Sequence, residues 1–322
     1  MRAKVLEILK TAPDFVSGQE ISKKTGISRT AVWKHINTLK KQGYEIESVT
    51  NKGYKLSGAA GKISPARISD ELHTDFAGRK IYFYESCDST NKRAKEEPLA
   101  PHGSVFVAER QDSGRGRRSR AWVSEPMCGI YMSLLLRPEI TADAVSQITL
   151  VSGLSVQSAL KKLSSAEVMI KWPNDIVLDG KKVCGILTEL AAEENSISYV
   201  VTGIGINVNN KHFPGEISDR ATSLAISAGK TFDRNIIIAA VLNEFEKYYN
   251  IFMESGFSAL KDEYEKNCIT VGKDIRVITP SADYTAHAAG ISPDGRLIAE
   301  RGGKTEIINS GEVSVRGICG YI

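Results

Sequence analysis

Cysteine is scarce. The 322 residues hold five, Cys87, Cys128, Cys184, Cys268 and Cys319, and no two form a CxxC pair. An odd, scattered set in a chain this long reads as free thiols in a reducing, cytoplasmic setting, not as a disulfide scaffold. Histidine is as thin: His35, His73, His102, His212 and His287 stand apart, and no His/Cys/carboxylate group has metal-ligand spacing. No run of about 18 apolar residues exists, so nothing predicts a membrane span or a membrane partner. The opening Met1-Arg2-Ala3-Lys4 runs into a segment carrying Glu7 and Lys10, which is not a secretory signal. There is no internal repeat and no low-complexity tract.

What is present is an ordinary globular composition, 42% hydrophobic and 25% charged, in a length that suggests two or three domains. The net charge of +4 is unevenly spread. Residues 1–62 carry twelve Lys/Arg and five Asp/Glu, a charge of +7, whereas the remainder carries thirty against thirty-three, or −3. A basic head on a mildly acidic body predicts a polyanionic partner for the head alone.

The head reads as helix, helix, turn, helix, hairpin. Val5, Leu6, Ile8 and Leu9 give residues 2–11 an apolar side, and a second helix follows Ser17-Gly18 over 19–24. Thr25-Gly26-Ile27 is a tight turn, Ser28 an N-cap, and a third helix runs to about residue 41 before Gly43. Residues 44–49 alternate as a strand, Asn51-Lys52-Gly53 is a turn, and 54–56 return. That order is a winged helix-turn-helix. On the third helix Val32, Ile36 and Leu39 face inward, with Trp33 expected as an anchor of the small core. Thr30, Lys34, Asn37 and Lys41 form the opposite stripe. With Arg29 at the helix start and Lys52 at the wing tip they are the candidate DNA contacts, since Lys suits phosphate or guanine and Asn suits adenine. An exposed polar face of any small helical domain is the alternative reading of the stripe taken alone.

The Gly/Ala-rich stretch 57–62 reads as a linker. Beyond it, strands are expected at 80–84, 104–108, 129–136, 168–172, 176–178, 183–190 and 197–208, with Asp179-Gly180 as a hairpin turn and long helices at 142–163 and 235–255. The class is α+β, with a mixed, mostly antiparallel sheet. After residue 269 only short strands remain, at 274–279, 285–291, 296–299, 305–308 and 313–316, which predicts a small SH3-like β-barrel. The domains are therefore set at 1–62, 63–268 and 269–322.

Three central segments carry chemistry. In Ser86-Cys87-Asp88-Ser89-Thr90-Asn91, clustered hydroxyl and amide groups at a strand end suit a compact polar ligand, though the same residues also make a helix cap. In Gln111-Asp112-Ser113-Gly114-Arg115-Gly116-Arg117-Arg118-Ser119-Arg120-Ala121-Trp122, four arginines and two glycines predict a loop without apolar anchors that anions order. A nucleic-acid patch or a solvated loop stays open there. In Lys171-Trp172-Pro173-Asn174-Asp175 and Lys181-Lys182-Val183-Cys184-Gly185-Ile186-Leu187, lysines interrupt apolar strands, which is costly unless they meet anions. The period of two puts Lys182 on the face of Cys184 and Ile186, and Gly185 leaves room for a ligand. Exposed hairpin lysines are the other reading. Asp175 could pair with Lys171 or hold Mg²⁺. Gly203-Ile204-Gly205-Ile206-Asn207 lacks the third glycine and the helix of a dinucleotide fingerprint. Its glycines either pack, or Asn207 faces a nucleotide.

Ser89-Thr90-Asn91, Gly114-Arg115-Gly116-Arg117-Arg118, Lys171-Trp172-Pro173-Asn174-Asp175 and Lys182-Val183-Cys184-Gly185-Ile186-Leu187, in that order, resemble the signature segments of the biotin–protein ligases. With the head and the C-terminal turn Gly311-Glu312-Val313-Ser314, the whole chain resembles the bifunctional bacterial ligases that also repress the biotin operon. Ser119 stands where many members have glycine. The resemblance implies a class II synthetase-like ligase domain that joins biotin to Mg·ATP as biotinyl-5′-AMP. It then passes biotin to an acceptor lysine of a biotin carboxyl carrier protein, as in acetyl-CoA carboxylase. It implies Lys182, Arg117 and Lys171 as catalytic groups, and Ser89, Thr90, Asn91, Gln111, Arg115, Gly116, Gly185 and Asn207 as ligand contacts. Asp175 is implied as the Mg²⁺ residue, operator DNA as partner, and a homodimer, formed near 188–201, when biotinyl-AMP is bound. A lipoate or octanoate ligase, or a repressor that senses a small acid without reacting, are the competing readings. The arginine loop, Lys182 and the head favour biotin.

Overall fold

Helix caps and turns set the head as expected. The computed structural model describes residues 1–56, 61–164, 166–193, 196–279, 281–311, 313–317 and 321. Most of the predicted linker, 57–60, and Glu312 and Cys319 lie outside the described residues. Helices α1 (Arg2–Thr11), α2 (Gly18–Thr25) and α3 (Arg29–Lys41) pack around Leu6, Leu9, Ile21, Val32, Ile36 and Leu39. Ser17 Oγ accepts the Glu20 N–H at 3.1 Å and Ser28 Oγ that of Ala31 at 3.2 Å, and Gly26 closes α2 in the left-handed region at φ 75°. Strands β1 (Ile46–Val49) and β2 (Gly53–Leu56) form the wing, and Val16 bridges Tyr54 on the free side of β2.

The head rests on α4 (Pro65–Asp70). Tyr44 Oη donates to Asp70 at 3.0 Å, the Arg67 guanidinium lies 4.8 Å from the Tyr44 ring centroid, and Lys10 pairs with Glu71.

The body is built from β3 (Ile81–Tyr84), α5 (Thr90–Glu96), β4 (Ser104–Ala108), β5 (Gly129–Leu136), α6 (Val145–Leu163), β6 (Val168–Lys171), β7 (Asp175–Leu178), β8 (Lys181–Glu193), β9 (Ser196–Asn207), α7 (Leu224–Ala228), α8 (Arg234–Ser255) and α9 (Lys261–Lys266). Its seven strands run in the order β3-β4-β5-β9-β8-β7-β6. Only the β3–β4 pairing is parallel among the described residues, so the sheet is mixed and mostly antiparallel. Helices α6 and α8 pack together against one face through Leu154, Val156, Leu160, Leu242 and Phe245. On the other face α5 covers part of β4, β5 and β9, with Ala94 against Phe106, Leu135 and Val201, and alternation along the strands leaves the rest of that face for ligands.

The C-terminal domain is an antiparallel sheet of β10 (Asp274–Ile278), β11 (Asp283–Ile291), β12 (Leu297–Arg301), β13 (Lys304–Ile308) and β14 (Ser314–Gly317), ordered β13-β12-β11-β10-β14. Trp172, buried, donates its indole N–H to the Gly295 carbonyl at 3.0 Å and fixes this domain against the body. Among the described residues no helix is long and apolar enough to cross a membrane, and four cysteines are free thiols.

Candidate active site and DNA-facing helix

One row across the open face of the sheet sets the site. Register places Lys171 (β6) beside Asp175 (β7), Asp175 beside Gly185 (β8), Gly185 beside Gly205 (β9), and Gly205 beside Tyr131 (β5). Directly opposed residues share a face, so charge sits at one end of the row and a furrow without side chains in the middle. The indole of Trp122 fills that furrow. A Cβ on Gly205 would stand 2.5 Å from Trp122 Cε2, and one on Gly185 2.9 Å from Trp122 Cζ3.

Lys182 reaches this face against the alternation expected from sequence. Ile176 pairs with Cys184 and Val177 with Lys182, which leaves Val183 as an extra residue. The resulting β-bulge reverses the parity. Cys184 and Ile186 point into the α6 core, whereas Lys182 turns to the side of Gly185 and pairs with Asp175 Oδ1 at 2.5 Å. The reading that put Lys182 with Cys184 and Ile186 is corrected accordingly. Burial opposes ionisation of Asp175, but the Lys182 ammonium and the Tyr321 hydroxyl hold its carboxyl below the usual range. Lys171, 6% exposed, donates to the Tyr321 carbonyl, and its Nζ lies 3.5 Å from the Tyr321 ring centroid. Burial lowers its ammonium to about 8, with Asp175 opposing that shift and Lys182 adding to it.

The polar cluster stands at the other end of the cleft. Segments beyond β3 and β4 continue side by side, with Cys87 N–H on the Arg110 carbonyl at 3.1 Å and Asp112 N–H on the Cys87 carbonyl at 2.8 Å. This brings Ser89, Thr90 and Asn91, at the start of α5, against Gln111. Gln111 Oε1 accepts the Thr90 N–H at 2.8 Å and the Thr90 hydroxyl at 3.1 Å. The Ser133 hydroxyl is 2.7 Å from Thr90 Oγ1 and 2.5 Å from Asn91 Oδ1. Asn91 Nδ2 donates to Glu189 at 2.7 Å, which commits Asn91 to β8 and gives it a positioning part.

The arginine loop has more structure than its composition suggests. Gly116 N–H donates to the Arg120 carbonyl at 2.7 Å and Trp122 N–H to that of Gly114 at 2.9 Å, so it closes as a hairpin anchored by Trp122 in the furrow. The expectation of a loop without an apolar anchor missed Trp122. Arg118 and Ser119 both take left-handed backbone, at φ 56°. Arg115 is exposed along the cleft. Arg117 lines it too, but donates to Asn174 Oδ1 at 3.0 Å and to the carbonyls of Ser310, Gly311 and Val313, tying the loop to the C-terminal domain. Asn207, at the end of β9, lines the same cleft and donates to the Thr222 carbonyl at 3.1 Å. The cleft holds about 1050 Å³, at the large end for small-molecule sites. Sequence reasoning did not find Trp122, Ser133, Glu189 or Tyr321. The i, i+2 glycines at 203 and 205 were the available signal for a face kept clear.

Among the described residues no three His, Cys, Asp or Glu side chains gather as a metal site. Asp175 could meet a cation alongside phosphate oxygens, the usual manner of Mg²⁺, only by sharing it with Lys182.

On the head, Arg29, Thr30, Lys34, Lys41 and Lys52 are exposed and Asn37 is half-buried. Trp33, expected in the core, is 55% exposed instead, because Tyr44 and Ile46 complete that core beside Ile36 and Leu39.

A model of the Biotin/lipoate A/B protein ligase family matches residues 83–207, an HTH domain model residues 2–55, and a Biotin protein ligase C terminal domain model residues 270–316. The chain is 40% identical over 320 residues to the bifunctional ligase/repressor BirA of Bacillus subtilis (strain 168), covering 98% of each chain. It is 29% identical over 304 residues to the protein of the same name in Escherichia coli (strain K12), covering 94% of each. The biotin protein ligase of Aquifex aeolicus, solved in complex with biotin and ATP, superposes with a TM-score of 0.68 at 35% identity, over 74% of this chain and 99% of that one. On this fold, site and whole-length similarity, the chain belongs to the biotin–protein ligases, in their bifunctional ligase/repressor form.

Proposed function

We propose that this protein makes biotinyl-5′-AMP from biotin and ATP, transfers biotin to an acceptor lysine of a biotin carboxyl carrier protein, and represses biotin-synthesis genes through its head. The observation that carries the reading is Lys182, turned by the bulge into a cleft whose other flank is the arginine loop. Residues 1–62 serve as the DNA-binding unit, 63–268 as the ligase body and 269–322 as the C-terminal domain, in a cytoplasmic protein.

The first step joins two anions. A biotin carboxylate oxygen attacks the α-phosphorus, the mixed anhydride forms, and the bond to the β-phosphate breaks as pyrophosphate leaves. Cations fixed in place beforehand offset the repulsion and the charge that builds on phosphorus. Lys182 stands between carboxylate and α-phosphate, and exchanges Asp175 for them when they arrive. Lys171 and Arg115 face the phosphates, and Arg117 holds the loop over the cleft by its bonds to Asn174 and the C-terminal domain. Ser89, Thr90 and Gln111 offer the polar groups for the ureido ring, with Asn91 positioned behind them. The furrow at Gly185 and Gly205 admits flat groups beside Trp122, the Gly116 backbone edges the loop, and Asn207 lies toward the nucleotide. Mg²⁺ accompanying ATP, near Asp175, would neutralise phosphate charge. In the second step the neutral acceptor amine attacks the carbonyl carbon, the acyl C–O bond breaks, AMP leaves and the amine gives up a proton.

Repression needs two heads on a palindromic operator, hence a twofold dimer. Among the described residues strand β8 pairs with β7 only over 181–185 and Ile186 bonds Asn174, so beyond it β8 has β9 on one side and no paired strand on the other, where Leu190 is 44% exposed. That edge is the proposed dimer surface once biotinyl-AMP settles the loop. The test of the ligase reading is pyrophosphate release from protein, Mg²⁺ and ATP with biotin or with lipoate. Release with biotin is expected. Release with lipoate alone would make it a lipoate ligase, and release with neither a sensor.

A further inference from the structure

Trp33 is a large apolar side chain left 55% exposed on the helix that the DNA-binding reading places in the major groove. It is the fifth residue of α3 (Arg29–Lys41). At 100° per residue it lies one turn beyond Arg29 and Thr30 and one turn before Asn37, on the same side. Val32, Ile36 and Leu39 take the inward side, so the ring projects outward among exposed Arg29, Thr30 and Lys34. Further along that flank Lys40 Nζ donates to Ser48 Oγ at 2.8 Å, which fixes the wing beside it. The indole therefore stands at the border between the polar stripe and the wing.

The surroundings select the occupant. A lone exposed aromatic is common on proteins, but this one sits within a domain of charge +7 on a cationic helix face, which suits a polyanion. In the major groove the base edges offer hydrogen-bonding groups and one apolar group, the C5-methyl of thymine. The N-terminal half of a recognition helix is the part that approaches base edges. Trp33 falls in that half, and its ring loses little conformational freedom when it is pressed against a flat surface.

We infer that Trp33 is a base-reading residue whose indole packs on the C5-methyl of a thymine, one in each half-site of the operator. The inference rests on the DNA-binding reading and adds to it a fixed base preference. The probe is a duplex carrying whatever inverted repeat the full-length protein selects from a randomised pool, with biotin, ATP and Mg²⁺ present. Each thymine is replaced in turn by deoxyuracil, which removes only the methyl group. Wild-type protein is expected to lose about tenfold in affinity at one symmetric pair of positions. Trp33→Ala, with an unchanged melting temperature as the control for folding, is expected to bind the parent duplex about tenfold more weakly and to be indifferent to that replacement. Wild-type affinity in Trp33→Ala, or a loss that leaves every methyl effect intact, overturns the inference while leaving the DNA-binding reading standing. Selection of no repeat by the wild-type protein overturns both.

Discussion

Arg234 sets Nη1 on Glu109 Oε2 at 2.7 Å and Nη2 on Oε1 at 3.0 Å, with side-chain exposures of 0% and 3%. The same carboxylate accepts the Ile63 N–H at 2.6 Å and the Met127 N–H at 3.3 Å, and Arg234 also donates to the carbonyls of Gly61 and Gly129. One buried pair thus ties the segment entering from the head, the end of β4 and the start of β5. Removing one partner strands a charge away from water. Glu109→Ala should lose about 3–5 kcal/mol in urea unfolding, and Glu109→Gln, which keeps the shape, should lose less. Equal stability of Glu109→Ala and wild type would contradict the part given to this pair.

The furrow makes a second prediction. A methyl group at Gly205 would collide with Trp122, whereas one at Gly116 would meet nothing nearer than the Arg120 carbonyl oxygen at 3.6 Å. Gly205→Ala should raise KM for biotin or ATP by about tenfold or more. Gly116→Ala should stay within about twofold. Steady-state pyrophosphate release compares the two, and the reverse ranking would show that the loop backbone, not the furrow, limits binding.

Lys171 gives the pH dependence. Burial has lowered its ammonium to about 8, so in the free enzyme the cation proposed to face phosphate is lost as pH rises through that value. kcat/KM for ATP should fall above about pH 8, and Lys171→Arg should move the fall to higher pH, since a guanidinium stays charged. The stability effect has the opposite sense. Between about 8 and the ordinary lysine value near 10.4, the unfolded chain holds a proton that the folded chain has released. The contribution of this group to stability therefore rises with pH in that window. A flat kcat/KM profile from pH 7 to 10 would remove Lys171 from phosphate binding.

The head yields a salt-dependent prediction. Lys34→Ala should weaken operator binding, and if the ammonium meets phosphate, the slope of log affinity against log salt should become shallower by about one. An unchanged slope with altered base preference would instead make Lys34 a guanine reader.

These outcomes depend unequally on what could be read from sequence. The caps at Ser17 and Ser28, the left-handed Gly26 and the apolar i, i+3, i+4 spacing of α3 are local signals, and they fixed the head. Strand existence was equally plain from alternation at β5 and β9. The face of Lys182 was misread because strict alternation admits no extra residue, and the bulge at Val183 is set by pairing with β7, which no local pattern contains. Trp33 was misplaced for a related reason: Tyr44 and Ile46 arrive from the wing to fill the core it was assigned. The Glu109–Arg234 pair joins residues 125 positions apart, and nothing near either one in sequence announces the other. Tyr321 over Lys171 likewise exists only through the docking of the C-terminal domain.

In the proposed first step an ammonium group, carried to the open face by a bulge, lets a carboxylate meet a phosphate. Single-turnover formation of biotinyl-AMP from biotin and α-labelled ATP, with both saturating, measures that step directly. Lys182→Ala should slow it by about 10²–10³-fold or more, while calorimetry still detects biotin binding through Ser89, Thr90 and Gln111. A near wild-type rate in Lys182→Ala would contradict the account.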